Sequence, residues 1–219
     1  MNRARVCVVK VGGSLLATPI LVTRIREWLH AERLVDGRTH FVLIVGGGKL
    51  VDTVREIDRC IPLGNETAHW ICIELLDVTS RLLAARLPEM ELVDDFAILE
   101  SRLRSPGITL FRPSQFMKQI EPHRAGKRLA RDWSVTSDSI AGRLAVVLAA
   151  DELVLLKSAG PPSQRGTVAP LRWLASVGYV DSFLSTLAPE LPDLRFMEIS
   201  SSPAGRGVTR NESGSQQSL

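Results

Sequence analysis

Short apolar runs alternate along this chain with longer segments whose apolar residues recur at helical spacing. The runs at residues 6–11, 41–45 and 153–156 are rich in Val, Ile and Leu and end at Gly or Lys. Such runs are typical of parallel strands that are buried on both faces. Leu21, Ile25 and Leu29 lie on one helical face between the first two runs. The alternation predicts an α/β fold with a mostly parallel sheet covered by helices on both sides.

The predicted elements extend from residue 4 to residue 199. Strands are expected at 4–11, 41–45, 152–156 and 194–199, and helices within 14–35 and at 49–59, 66–86, 138–150, 170–177 and 181–188. The short apolar pieces at 97–99 and 108–111 favour strands or turns. We therefore expect residues 1–199 to form a single domain. The segment 200–219 is rich in Ser, Gly, Arg and Gln and is expected to be a disordered tail.

The composition excludes some classes of protein. The chain has 219 residues, 45% of them hydrophobic, and a formal net charge of +3. No apolar run reaches the ~18–20 residues of a membrane span, and Lys10 interrupts any signal-peptide core, so we expect a cytoplasmic protein without membrane association. Cys7, Cys60 and Cys72 form no C-x-x-C pair and are expected to be reduced core residues.

Basic residues cluster between positions 118 and 131, directly before the predicted helix at 138–150. Three interpretations are open, namely a nucleic-acid patch, a solvated loop, or a lid over an anionic substrate. Few aromatic residues interleave with these charges, which disfavours nucleic acid as a partner. A lid would place Arg124 on a phosphate group of the substrate, since arginine binds phosphate through two hydrogen bonds.

Glycine-bearing loops follow three of the predicted strands. They are Gly12-Gly13-Ser14, Gly46-Gly47-Gly48 and Lys157-Ser158-Ala159-Gly160. Because the carboxyl ends of parallel strands meet at one edge and glycine lets backbone N–H groups approach a ligand, these loops predict an anion site. Lys10 and Lys157 add positive charge, which favours phosphate. The spacings match neither a Walker A loop nor a G-x-G-x-x-G dinucleotide fingerprint.

Residues 8–15, 44–48 and 136–145 resemble, in the right order, three motifs of the amino acid kinase family. The resemblance covers most of the domain and implies a three-layer αβα sandwich with a mainly parallel central sheet of about eight strands. It also implies transfer of the γ-phosphoryl group of ATP to a carboxylate, phosphate or related oxygen, and assembly into homo-oligomers. Mg²⁺ would be held largely by phosphates and water. The four histidines show no metal-ligand spacing, so no protein metal site is expected.

The resemblance assigns roles to individual residues. Lys10 would contact the transferred phosphoryl group, and Asp138 would hold the catalytic lysines in place. Nucleotide and phosphate binding would fall to the loop residues Gly12, Gly13, Ser14, Gly46, Gly47, Gly48, Ser158 and Gly160. Simpler readings stay open, in which Lys10 is a solvated strand-end lysine and the glycines serve tight turns. Asp138 would then only favour the helix dipole, behind a cap at Thr136 or Ser137.

Two family features are missing. Many members carry a second catalytic lysine after a Gly-Gly-Met segment, but residues 166–172 of this chain contain none. Many also have Asp-Gly-Val after the nucleotide-side strand, where this chain continues from Lys157 into Ser158. Either Lys157 or Arg172 supplies the second cation, or the activity is weak or absent; the position of Lys157 at a strand end favours Lys157.

The stretch 132–141 is similar to a narrower branch of the family, the kinase of methanofuran biosynthesis. That kinase phosphorylates an aminomethyl-furanyl-methyl phosphate. The likeness implies an acceptor site formed by Trp133, Ser134, Thr136, Ser137 and Arg124. Trp133 would stack on the furan ring, although a core tryptophan is an open alternative. Asp132 or Asp181 is the candidate partner for the substrate amine.

Two other functions fit the same sequence. A non-catalytic nucleotide- or oxyanion-binding protein on this fold would explain the missing lysine. A nucleic-acid-associated regulator would explain the basic stretch. The presence of both Lys10 and Asp138 favours the kinase.

Overall fold

The strands form where the apolar runs predict them. The computed structural model describes residues 3–164, 167–199 and 208–210. Its strands are β1 (Arg5–Val11), β2 (Thr39–Val45), β3 (Glu91–Val93), β4 (Gly107–Phe111), β5 (Glu152–Lys157), β6 (Ser163–Gln164), β7 (Thr167–Val168), β8 (Asp193–Glu198) and β9 (Val208–Arg210). Its α-helices are α1 (Leu21–Val35), α2 (Lys49–Cys60), α3 (Asn65–Ala84), α4 (Phe96–Arg102), α5 (Ser137–Val147) and α6 (Leu171–Ser176).

One sheet contains most of the described strands, in the order β3-β4-β2-β1-β5-β8-β9. All neighbouring pairs are parallel except β8 and β9, which are antiparallel. β1 lies at the centre, where Lys10 pairs with Ile44 of β2 on one side and with Leu155 of β5 on the other. The predicted α/β fold with a mainly parallel sheet is confirmed. The described residues place seven strands in this sheet, slightly fewer than the expected number of about eight.

The core has one layer on each face of the sheet. Val6 and Val8 of β1 pack into a cluster that includes residues of α3 and α5, whereas Cys7 and Val9 pack into a second cluster with residues of α1. Successive side chains of a strand point to opposite faces, so a strand with two apolar faces must be covered on both. The described residues therefore form three layers.

Two predicted elements differ in the structure. Residues 97–99, expected in a strand or turn, lie in α4, whose N-cap Asp95 accepts a hydrogen bond from the Ile98 N–H at 2.8 Å. Such a cap stabilises even a short helix start. The helix expected at 181–188 is only a 3₁₀ turn at Leu184–Thr186. Pro189 follows this turn and disfavours a helical conformation in the residue before it.

Three smaller findings complete the fold. Within the predicted tail 200–219, Val208–Arg210 forms β9, and the other tail residues lie outside the described part of the chain. None of the described helices is both long and apolar enough to cross a bilayer. Cys7 is buried, but Cys60 is exposed at the end of α2, so the expectation of a core position is wrong for Cys60.

Candidate active site

The three glycine-bearing loops lie at one edge of the sheet, as predicted. The Gly12 N–H donates to the Leu156 carbonyl at 2.8 Å, and the Gly46 N–H donates to the Val11 carbonyl at 2.9 Å. These bonds extend the parallel pairings of β1 with β5 and with β2 just beyond the strand ends. The loops that follow β1, β2 and β5 therefore meet at the carboxyl edge, where ligands bind in open α/β sheets.

The loops after β1 and β2 pack directly on each other. A Cβ atom added to Gly13 would lie 2.1 Å from the Gly48 nitrogen, so only glycine fits there. Gly48 has a φ of +53°, in the left-handed region that favours glycine. Tight packing therefore explains these two glycines. The bond from the Asp52 N–H to the Gly48 carbonyl is the first of α2, so the N–H groups before it have no helical partner and could bind an anion.

Lys10 and Lys157 meet on the carboxylate of Asp138. Lys10 Nζ lies 2.8 Å from Asp138 Oδ1, and Lys157 Nζ lies 2.7 Å from Asp138 Oδ2. Lys157 Nζ also donates to the Tyr179 carbonyl at 2.7 Å. The two lysines come from neighbouring strands, and Asp138 reaches them from the first turn of α5. Arg172, in contrast, lies exposed on α6, so the structure brings Lys157 and not Arg172 to Lys10.

The Asp138 carboxyl is ionised although it is buried. Burial alone would raise its pKa, but the charges of Lys10 and Lys157 outweigh burial and lower the pKa to about 2. Burial lowers the pKa of Lys157, an effect that the charge of Asp138 opposes. The side chains of Lys10 and Lys157 are only 8% and 14% exposed. Two ammonium groups and one carboxylate thus form a cluster with a net charge of +1.

Asp181 fixes the start of α5. Its Oδ2 accepts hydrogen bonds from the N–H and hydroxyl of Thr136, at 3.0 and 2.8 Å, and from the Ser139 N–H at 2.9 Å. Its Oδ1 accepts from the Leu184 N–H at 2.9 Å. Thr136 is the N-cap residue, one of the two predicted positions, but its side chain makes no cap bond. Asp181 supplies the cap, and its oxygens are used there.

A cavity of about 410 Å³ opens beside the lysine cluster. Volumes of roughly 300–1,000 Å³ are typical of small-molecule sites. Most of the predicted site residues line it, namely Lys10, Gly12, Gly13, Ser14, Gly47, Gly48, Trp133, Thr136, Ser137, Lys157 and Ser158. Ser14 and Ser158 bring two of the loops together, with their hydroxyl oxygens 3.3 Å apart.

Three predicted site residues lie close to the cavity in the chain but do not line it. A Cβ atom on Gly46 would lie 2.8 Å from the Gly13 nitrogen, so Gly46 belongs to the contact between the two loops. The Ser134 N–H donates to Asp132 at 2.8 Å. A Cβ atom on Gly160 would lie 3.1 Å from Glu198 Oε2. None of the three lines the cavity.

The prediction that Arg124 binds the acceptor is wrong for this structure. Its guanidinium lies 3.7 Å from Glu100 Oε1 and over the ring of Phe96, outside the cavity. Other side chains of the basic stretch also pair with surface carboxylates: Lys118 with Glu74 and Arg131 with Glu66, both at 2.8 Å. These three side chains therefore lie at surface carboxylates and not over the cavity.

The α2–α3 side of the cavity holds residues that the motifs did not single out. The Arg55 guanidinium lies 4.9 Å from the centre of the Trp133 ring, and its Nη1 lies 3.0 Å from Asp52 Oδ1. The Trp133 indole N–H donates to Asp58 at 2.9 Å. Trp133 is therefore a wall of the cavity and not a core residue. His69 of α3 also lines this side.

These additional residues have no local sequence signal. Arg55 and Asp58 belong to the polar face of an amphipathic helix, which usually faces solvent. Only the tertiary fold brings them to Trp133, far along the chain. The one available clue is the acidic and basic pairing at positions 52 and 55, which is common on helix surfaces.

Comparison with known proteins places the chain in a family. The sequence model of the amino acid kinase family matches residues 5–160, and the chain belongs to that family. The [5-(aminomethyl)furan-3-yl]methyl phosphate kinase of Methanocaldococcus jannaschii is similar, at 24% identity over 152 residues, which are 68% of this chain and 63% of that protein. The match thus spans less than two thirds of the length of that relative.

Solved structures share the fold. Uridylate kinase from Archaeoglobus fulgidus superposes with a TM-score of 0.61 at 16% identity, over 89% of this chain and 91% of that one. UMP kinase from Bacillus anthracis superposes with a TM-score of 0.61 at 13% identity, over 92% of this chain and 90% of that one. At these identities the likeness shows the architecture.

Proposed function

We propose that this protein is a kinase that transfers the γ-phosphoryl group of ATP to a phosphomonoester. The observation that carries the proposal is the pair of lysines on one buried carboxylate, beside a glycine-rimmed cavity. In phosphoryl transfer, negative charge spreads over the three equatorial oxygens of the transferred group. Stabilising that charge requires fixed cations and N–H donors on more than one side. Lys10 and Lys157, on neighbouring strands, meet this requirement.

The ammonium group of Lys157 has an N–H donor left for a ligand. An ammonium group has three N–H donors. Lys157 uses two of them, on Asp138 and on the Tyr179 carbonyl, so one is left for a phosphoryl oxygen. Asp138 contacts the two lysines and keeps both ammonium groups in place, which makes it a positioning residue for the transfer.

The residues also fit a nucleotide that brings its own metal ion. Within the described residues, no three His, Cys, Asp or Glu side chains are grouped to bind a metal. Phosphate oxygens and water would therefore hold the Mg²⁺ that accompanies ATP. Such an ion neutralises phosphate charge, and the lysines and loop N–H groups orient the phosphates.

A phosphorylated acceptor is the second part of the proposal. The similar protein from M. jannaschii is by name a phosphate kinase, and the similar structures are uridylate kinases. An aminomethyl-furanyl-methyl phosphate of methanofuran-type cofactor synthesis is the specific candidate. Its phosphate would lie at the Lys10 end of the cavity, and its ring would extend towards Trp133. A cytoplasmic homo-oligomer belongs to the same proposal.

The position of Lys157 also bears on the alternative, a non-catalytic binding protein on this fold. That alternative drew its support from the missing second lysine. Lys157 provides a second cation 2.7 Å from the carboxylate that Lys10 contacts, so the main argument for inactivity is weakened.

The proposal is tested by measuring ADP formation from ATP and Mg²⁺ with a panel of phosphomonoesters, nucleoside monophosphates and amino acids. We expect turnover with a phosphomonoester and a loss of roughly 10²-fold or more in kcat for Lys10→Ala, because a transition-state donor is removed. Lys118→Ala, at a surface ion pair, is the control and should behave as wild type. Turnover only with unphosphorylated amino acids, or unchanged turnover in Lys10→Ala, would contradict the proposal.

A further inference from the structure

One carboxylate that lines the cavity is left without a cation. Lys10 and Lys157 are paired with Asp138, and Arg55 is paired with Asp52 at 3.0 Å. Asp132 also lines the cavity, but among the described residues it accepts hydrogen bonds only from the N–H and hydroxyl of Ser134, through Oδ1. Its Oδ2 is therefore available to a ligand.

The charge of Asp132 persists at neutral pH. The hydrogen bonds from Ser134 hold the pKa of the Asp132 carboxyl below its usual value. Its chain neighbour Arg131 is turned away and pairs with Glu66 at 2.8 Å. The cavity thus has a negative charge next to Trp133, in addition to the lysine cluster.

A buried ring nitrogen without a partner lies next to Asp132. His69 is 4% exposed and lines the cavity, and its Nε2 has no hydrogen-bond partner among the described residues. Buried polar atoms are rarely left unpaired in proteins, so a missing partner points to a ligand. The backbone and the charge of Asp132 both influence the pKa of His69, so the two residues are neighbours.

The surroundings of His69 keep its ring neutral at neutral pH. Burial lowers the pKa of His69, while the backbone and the charge of Asp132 act in the opposite direction, as does Glu66, and Arg131 adds to the lowering. The neutral ring has one donor and one acceptor nitrogen. In the tautomer that carries its hydrogen on Nδ1, Nε2 is an acceptor, and it has no partner among the described residues.

We infer that His69 and Asp132 form a subsite for a protonated amino group of the phosphoryl acceptor. An ammonium offers a positive charge and three donors, which suit one carboxylate oxygen and one neutral imidazole nitrogen. Trp133, held by Asp58 at 2.9 Å, lies beside this pair and favours a flat group between the amine and the phosphate. The inference rests on the proposed function, which places the acceptor phosphate at the Lys10 end.

This subsite also decides between the two carboxylates that the sequence left open for a substrate amine. Asp181 uses Oδ2 at the start of α5 and Oδ1 on the Leu184 N–H, whereas Asp132 lines the cavity with one oxygen available. Arg55 does not compensate Asp132, because it is paired with Asp52 and stacked on Trp133. The acceptor class is therefore an amine-bearing aryl phosphomonoester.

The test compares two ligands that differ only in charge. They are a benzyl phosphate that carries an aminomethyl group on the ring and the same compound with a methyl group. Binding to the full chain is measured by calorimetry without nucleotide, so that no turnover is needed. We expect wild type to bind the amine at least about tenfold more tightly, the range of one charge-assisted hydrogen bond. Asp132→Asn should remove this preference and leave the affinity for the methyl compound unchanged.

Substitutions at His69 and a control complete the experiment. His69→Phe should reduce the preference, and His69→Gln, which keeps an acceptor, should retain more of it. Asp193→Asn, exposed at the start of β8, should keep the wild-type preference. If His69→Phe does not fold, His69→Gln and Asp132→Asn still test whether the two residues bind the amine. Equal binding of the two compounds by wild type, or an undiminished preference in Asp132→Asn, would overturn the inference.

The kinase assay separates this inference from the proposed function. An amine preference that depends on Asp132, without ADP formation from any acceptor, would refute the kinase and keep the subsite. Turnover of phosphomonoesters without an amine preference would keep the kinase and refute the subsite.

Discussion

Replacing Lys157 by methionine tests the two-cation site directly, because it removes the charge and nearly preserves the length of the side chain. The variant loses the contact of Nζ with Asp138 Oδ2 and the hydrogen bond to the Tyr179 carbonyl, both 2.7 Å. Lys10 stays 2.8 Å from Asp138 Oδ1. The buried carboxylate therefore keeps one cation, and the transferred phosphoryl group loses the other.

The loss in kcat and the loss in free energy of unfolding can be estimated separately for Lys157→Met. Removing one preorganised donor to a transition state costs about 2.7–4 kcal/mol, which corresponds to a loss of roughly 10²–10³-fold in kcat. Leaving a buried charge with no partner costs about 3–5 kcal/mol of folding free energy. Because Lys10 still pairs with Asp138, the loss of stability for Lys157→Met should fall below that range. Activity should therefore fall much more than stability.

The assay measures kcat at saturating ATP and acceptor, together with urea unfolding of each variant. Arg172→Met is the matched control, since it removes a cation of the same region that is exposed on α6. We expect it to retain turnover within about threefold of wild type, as surface changes usually do. A Lys157→Met variant with near-wild-type kcat, or a large loss in Arg172→Met alone, would refute the assignment of the second cation.

Three further outcomes test other parts of the structure. The pKa of Asp138 in the folded protein, about 2, lies below the ordinary value of 3.8. The ionised carboxylate therefore contributes fully to the free energy of unfolding above pH 3.8, and this contribution is lost as the pH falls towards 2. Asp138→Asn should remove this part of the acid dependence in urea unfolding. Gly13→Ala should lower the Tm through a clash worth about 1–3 kcal/mol or more, whereas Gly37→Ala, whose Cβ would have 3.6 Å to its nearest neighbour, should change it little. Arg124→Ala should leave the KM of the acceptor unchanged, since this side chain lies outside the cavity; a raised KM would restore the lid interpretation.

The sheet could be predicted well from the sequence because buried parallel strands carry a strong signal. The apolar runs at 41–45 and 153–156 lie in β2 and β5, where every residue but Lys157 is buried. Their glycine loops then had to meet at one edge. The short helix α4 could not be separated from a strand by its few apolar residues, and its Asp95 cap was the only local clue.

The residues of the candidate site also differ in how well the sequence predicts them. Lys10, Asp138 and Lys157 follow sequence motifs or strand ends, and the structure brings all three together. The surroundings of Trp133 depend on contacts between α2, α3 and the loop before α5, which no local pattern encodes. Arg124 was misplaced for a related reason, because sequence proximity to the motif at 136–145 did not imply proximity in space.

The hydrogen bonds of Asp181 have a consequence for how tolerance to substitution should be interpreted. This side chain holds the first turn of α5 and hence the position of Asp138, yet its own oxygens are occupied by Thr136, Ser139 and Leu184. In a scan of all single substitutions, position 181 should be about as intolerant as position 138. Loss of activity in a variant at position 181 would indicate a shift of α5, and with it of Asp138, rather than the loss of a contact with substrate. A residue that binds α5 and not the substrate would thus tolerate substitution as poorly as a residue of the active site.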